Sequence, residues 1–172
     1  MDFISQTNYE LHREHLRQLK LRMSIFEKSY PQIKGKSPRQ ILKLPIDRNE
    51  REAAASLLAD ILAHDLFFNS FSSPNTSSAL VRAAYGSEAN FLYAISCKAE
   101  KCHGFLFVVQ DRCGIPEIVA YNEPLSAFLS NATPTLAVDL CEHAYFYDYF
   151  FDRESYVKAA LSRLDLSKIK KS

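Results

Sequence analysis

The sequence predicts an α+β fold, in which an N-terminal antiparallel helical hairpin precedes a C-terminal domain of helices packed on a three-stranded antiparallel sheet. Three observations predict it. Residues 5–28 carry apolar side chains at helical spacing. Residues 50–71, "EREAAASLLADILAHDLFFNSF", are rich in strong helix formers and hold no glycine or proline. Beyond residue 100, "GFLFVVQ", "IPEIVAY" and "TLAVDL" are β-prone segments separated by turn residues.

Taken in order, the first helix rests on Leu11, Leu16, Leu19, Met23 and Phe26, spaced three to five apart as one apolar face requires. The connector "YPQIKGKSPRQILKLPIDRNE" carries Pro31, Gly35, Pro38 and Pro45. Within it Ser37 is placed to cap a short helix over Ser37–Leu42, with Pro38 at the first helical position. The second long helix, Glu50 to Phe71, is long enough to lie antiparallel to the first. "SSPNTSS" breaks it, which sets a boundary between a hairpin domain, residues 1–72, and an α/β domain, residues 73–172. Two shorter helices follow, near 77–84 and 87–99, then the three strands and terminal helices.

Bulk composition narrows the function classes. The chain has 172 residues, 47% of them hydrophobic, enough for a packed core. Lys+Arg 21 against Asp+Glu 20 leaves a net charge of +1, which gives no global argument for nucleic acid or an acidic membrane surface. There is no run of about 18 uninterrupted apolar residues, and "MDFISQTNYELH" lacks the basic and apolar regions of a secretory signal, so a cytoplasmic protein is expected. Four scattered cysteines, Cys97, Cys102, Cys113 and Cys141, suit reduced thiols better than a disulfide framework. Cys97, Cys102 and His103, with Cys113 at the next turn, bring thiols near an imidazole, a zinc-binding combination whose spacing matches no standard knuckle.

The chemistry concentrates in "AVDLCEHAYFYDYFFDRESY", where Asp139 and His143 stand four apart as an apolar strand gives way to aromatics. That spacing lets a carboxylate and an imidazole meet on a metal or on a proton; it also suits a helix cap beside an ordinary buried pair. His12, paired with His15 on a polar helix, reads alone as a solvated side chain. His64, among Ile61, Leu62, Leu66 and Phe67, reads alone as a core histidine or a ligand.

Together these segments resemble the iron/manganese superoxide dismutase family. The family signature Asp-x-Trp-Glu-His-Ala-Tyr is matched in register by Asp139, Glu142, His143, Ala144 and Tyr145. "ISQTNYELH", "GKSPRQIL", "AHDLFFNSF" and "YGSEANF" resemble further family segments, so the similarity runs from about Ile4 to Leu166. The resemblance implies one iron or manganese per chain, held by His12, His64, Asp139 and His143, with superoxide as substrate. Three imidazoles and one carboxylate suit an ion that alternates between +2 and +3. It also implies a homodimer in which Glu142 meets His143 of the other subunit, while Leu16 and Phe146 stand where the family has a hydrogen-bonded pair.

Departures from the pattern bear on the rate. The family surrounds its metal with tryptophans; this chain has none, and Phe68, Phe105, Phe107 and Cys141 stand in the matching places. The gateway tyrosine becomes Lys20, which reads either as a lysine that attracts an anion or as a solvated lysine on a helix face. The glutamine that holds the bound solvent becomes Asp60 or, from the sheet, Asn122 or Glu123. The expectation is a superoxide dismutase of reduced rate; the alternative is a catalytically impaired member of the fold serving as a structural or interaction subunit.

Overall fold

The computed structural model describes residues 2–72 and 76–170. Helix α1 spans Gln6–Ser29, capped by Ser5, whose side chain accepts from the Asn8 amide. Its buried stripe is Asn8, His12, Leu16, Leu19 and Met23. Leu11, expected on this face, is 52% exposed. The stripe runs through Asn8 and His12 instead, two polar residues that apolar periodicity passes over.

After a turn of 3₁₀ helix at Pro31–Ile33, α2 spans Pro38–Ile41. Ser37 and Gln40 form a reciprocal capping box there, with Pro38 opening the helix. Helix α3, Arg48–Asn69, is capped by Asp47, which accepts from the amides of Asn49 and Glu50. Its start lies two residues ahead of the expected Glu50 because Asp47 supplies the cap. Leu16, Leu19 and Met23 pack with Ile41, Ala54, Ala55, Leu57 and Ile61 in one core, which closes the hairpin.

Helices α4 (Ala79–Tyr85) and α5 (Glu88–Ala99) are each capped by a serine, Ser78 and Ser87, and lead into the sheet. Strands β1 (Phe105–Gln110), β2 (Pro116–Tyr121) and β3 (Thr133–Asp139) pair antiparallel in the order β2-β1-β3. The central strand is buried along its whole length, which is why "FLFVVQ" shows no alternation. Helix α6, Leu125–Leu129, in the β2–β3 connection is an element the sequence reading lacked. It has only five residues and no side-chain cap, too little for periodicity to register.

Helices α7 (Glu142–Tyr149) and α8 (Arg153–Leu161) complete the chain, and Phe150 turns between them with φ 49°. The second core joins both halves of the sequence. Phe3, Ile4, Ala63 and Phe67 pack in it with strand residues and with Tyr156 and Leu161. The last turn of the hairpin therefore lies against the end of β3.

Gly104 marks the tightest backbone approach. A methyl group there would collide with the carbonyl oxygens of Tyr121 and Asn122, while the Gly104 carbonyl accepts from the Leu140 amide at 2.8 Å. Backbone, unlike a side-chain tip, cannot step aside cheaply. Gly104→Ala is expected to destabilise the chain by about 2 kcal/mol, read as a lowered urea midpoint with unchanged slope. An unshifted midpoint would mean that the β1–β2 entry is looser than described.

Candidate metal centre

Three elements bring four side chains to one point. His12 comes from the buried stripe of α1, His64 from α3 one turn before its end, and Asp139 with His143 from the junction of β3 and α7. One donor atom from each of the four lies within 4.8 Å of every other. Asp139 is the centre of the group: its Oδ2 is 2.9 Å from His143 Nε2, 3.1 Å from His12 Nε2 and 3.4 Å from His64 Nε2. His64 Nε2 and His143 Nε2 are 3.3 Å apart. Edges of this length are what donors held about 2 Å from a single ion present to one another.

The helix and strand ends fix these positions. Asp139 is fully buried; its Oδ1 accepts from the Cys141 amide at 2.9 Å and its backbone carbonyl from the Tyr156 hydroxyl at 2.7 Å. The amide bond leaves Oδ2 to face the histidines. Burial alone would raise the Asp139 pKa, but hydrogen bonds from His12 and His143 hold it well below the usual carboxylate range. His64 donates its Nδ1 proton to the Asp60 carbonyl one turn back, at 2.7 Å. Its Nε2 therefore presents a bare lone pair, and burial depresses its pKa to about 4. His143 is opposite in sense: burial lowers its pKa, and the hydrogen bond and charge of Asp139 more than restore it, so the net shift is upward. A proton on His143 Nε2, shared with Asp139 and facing His64, fills the space where a cation fits.

The residues fit an iron or manganese ion on this chemistry. One carboxylate and three imidazoles supply a hard and borderline donor set of low charge. His12 Nδ1 is buried and has no partner among the described residues, the kind of atom that an ion-directed tautomer would turn into a donor. Aromatic rings surround the cluster: Phe67 and Phe68 stand 4.8 and 5.0 Å from the His12 ring and Phe105 5.1 Å from His64. Phe107 lies one layer deeper, against Phe105 at 5.7 Å, and Cys141 contributes its backbone amide.

The remaining sequence candidates are placed less uniformly. Asp60 stands behind His64, and burial followed by the negative charge of Asp139 raises its carboxyl pKa to about 6. Glu123 is exposed and acts on Asp60 only through its charge. Asn122 is turned away, accepting from the His103 amide at 3.2 Å. Lys20 is paired with Asp65 of α3 at 2.8 Å on the open surface, so its ammonium is held by a carboxylate and does not line the cluster. Leu16, expected at a subunit contact, is 2% exposed and packed in the apolar cluster of the hairpin. Glu142 and Phe146 are exposed on α7. All four cysteines are free, and among the described residues they join no group of three or more metal donors.

His15 is the residue the sequence reading set aside. Its half-buried ring lies 4.5 Å from His143 and 5.0 Å from His64, over the one ligand whose side chain is substantially exposed, at 36%. The i,i+3 spacing from His12, on one helical face, was the available signal.

No curated protein matches the chain. No described helix is long and apolar enough to cross a membrane. The family model for iron/manganese superoxide dismutases, C-terminal domain, matches residues 74–172. That span holds Asp139 and His143, and the fold delivers His12 and His64 to the same oxygen from outside it. A match over more than half of the sequence, ending on a donor cluster of the kind such proteins need, places the chain in the iron/manganese superoxide dismutase family.

Proposed function

We propose that the protein is a superoxide dismutase-type oxidoreductase that converts two superoxide ions and two protons to dioxygen and hydrogen peroxide. The convergence of His12, His64 and His143 on Asp139 Oδ2 carries the reading. These four residues hold one iron or manganese per chain. Bound there, the ion supplies a +2/+3 couple that superoxide can both reduce and oxidise. The chain's own part is to keep three imidazoles neutral and one carboxylate ionised in a water-poor pocket walled by Phe67, Phe68 and Phe105. Asp60, its carboxyl pKa raised to about 6 by burial, stands beside the site as a group that can take up and release a proton.

The rate is reduced. Lys20 is engaged by Asp65, Glu123 is solvent-exposed, and a carboxyl stands where a neutral amide serves other members. A group that changes charge near the operating pH moves the potential away from the midpoint that serves both half-reactions. Those same observations favour the second reading, a catalytically impaired protein of the fold serving as a structural or interaction subunit. Further parts of the proposal are two domains, 1–72 and 73–172, of which the first has an apolar cluster of its own while the second shares its cluster with Phe3, Ile4, Ala63 and Phe67, a cytoplasmic location, and a homodimer. Glu142 and Phe146 are exposed on α7, the helix that carries the partly exposed His143, where a second copy would cover them.

Metal analysis of protein expressed with iron or manganese in excess, with light scattering and superoxide decay on the same sample, tests the set. One ion per chain, twice the chain mass and measurable decay are expected. Metal without decay favours the second reading; no metal removes the first.

A further inference from the structure

We infer that Asn8 is a positioning residue of the metal centre, the outer partner of His12; the inference rests on the metal-binding reading above. Asn8 is 1% exposed and lies one helical turn before His12 on the buried stripe of α1. Its Nδ2 donates to the Ala144 carbonyl at 3.0 Å and to Asp148 Oδ2 at 3.1 Å. Asp148 Oδ2 also accepts the Ser5 amide at 2.7 Å. Ala144 follows the ligand His143, so one side chain ties the turn bearing His12 to the helix bearing His143.

Those two contacts also settle which way the amide points. A flipped Asn8 would set its oxygen against a carbonyl and a carboxylate, two acceptors. Oδ1 is therefore on the free side, buried and without a partner, and His12 Nδ1 is the other unpartnered acceptor-capable atom on the same stripe. The two do not bond because His12 donates from Nε2 to the Asp139 carboxylate at 3.1 Å, which leaves Nδ1 a bare lone pair. Two buried acceptors thus stand one helical turn apart on the same stripe, neither with a hydrogen-bond partner among the described residues.

Giving the Nε2 lone pair to an ion moves the ring proton to Nδ1. The mismatch then becomes a donor and an acceptor, joined directly or through one buried water. His64 already shows the same i−4 arrangement, with its Nδ1 proton on the Asp60 carbonyl. Asn8 thus favours the tautomer of His12 that binds metal, at the cost of an unsatisfied acceptor when the site holds none.

Zinc(II), a diamagnetic probe for nitrogen and oxygen donors, makes the proton visible by NMR. In the zinc-loaded protein, slowly exchanging Nδ1 protons are expected for both His12 and His64. Asn8→Leu should abolish the His12 signal, retain the His64 signal, and weaken zinc binding about 10- to 100-fold by chelator competition. A merely structural role for Asn8 would lower stability and leave the His12 proton where it was. If Asn8→Leu does not fold, Asp148→Ala keeps Oδ1 but frees the amide, and exchange of the His12 proton should quicken at least about tenfold. An unchanged His12 proton with affinity within about twofold overturns the inference in either variant. Wild-type protein that binds neither zinc nor iron overturns the metal-binding reading itself, and with it this inference.

Discussion

Asp139→Ala is expected to abolish metal binding and to destabilise the metal-free chain by about 3–5 kcal/mol. The carboxylate is the only negative group among three imidazoles, is fully buried, and makes a bond with each of its oxygens. Removing it leaves the Nε2 protons of His12 and His143 without an acceptor and the Cys141 amide unpaired. Unsatisfied buried groups, more than lost attraction, set the size of the effect. Asp139→Asn separates the two consequences. It keeps shape and one acceptor oxygen, so it should recover much of the stability, yet metal affinity should stay more than about 100-fold below the parent. Urea unfolding and chelator competition read the two quantities independently. A stable Asp139→Ala protein that retains its metal would show that the donors are elsewhere.

The second large effect is acid sensitivity of the metal-free chain, and its sign follows from two groups that oppose each other. His64 has a folded pKa of about 4 against an ordinary 6.5. Between those values the unfolded chain takes up a proton that the folded chain refuses, so stability falls as pH falls, by an amount on the order of 3 kcal/mol. Asp60 is raised from 3.8 to about 6, so its folded form holds a proton that the unfolded chain has released. Its contribution is fully present below pH 3.8 and is lost as pH rises through 6, and partial exposure reduces its size. From pH 6 down to 4 the two therefore offset in the parent. Asp60→Asn removes the offset, and the metal-free variant should lose stability across that window more steeply than the parent. Equal slopes would mean that Asp60 does not titrate in the window.

Much of the fold was legible because local signals agreed with tertiary packing. Ser37, Pro38 and Gln40 announce α2 as a sequence motif and form it as a capping box. The break after residue 71 and the three β-prone runs likewise correspond to chain punctuation that no packing needs to override. Leu11 shows where the reading failed. Apolar periodicity assigned it to the buried face with Leu16, but beside Leu16 that face runs through Asn8 and His12, whose partners Ala144, Asp148 and Asp139 lie more than 120 residues away. Helix α6 was missed because five residues carry no period.

The site was legible only as a set. His64 alone is an ordinary core histidine, and Asp139 with His143 an ordinary cap and pair; their meeting with His12 is a property of the family pattern and of three-dimensional closure. His15 and Asn8 were hidden for a different reason. Neither belongs to the pattern, and each acquires its role from a neighbour on another helix, His143 for the first and Ala144 with Asp148 for the second. The pairing of Lys20 was hidden as well, because Asp65 lies 45 residues away on α3, beyond the reach of spacing arguments.

Pulse radiolysis of the protein loaded with one iron or manganese per chain measures the reaction with superoxide in both oxidation states. Reaction in both directions is expected, with one half-reaction slower than the other and both below the diffusion ceiling of roughly 10⁹ M⁻¹s⁻¹, and with all activity lost in His64→Ala. Bound metal that reacts with superoxide in neither state, or activity that survives His64→Ala, would contradict the assignment of the His12, His64, Asp139 and His143 cluster as a dismutase centre.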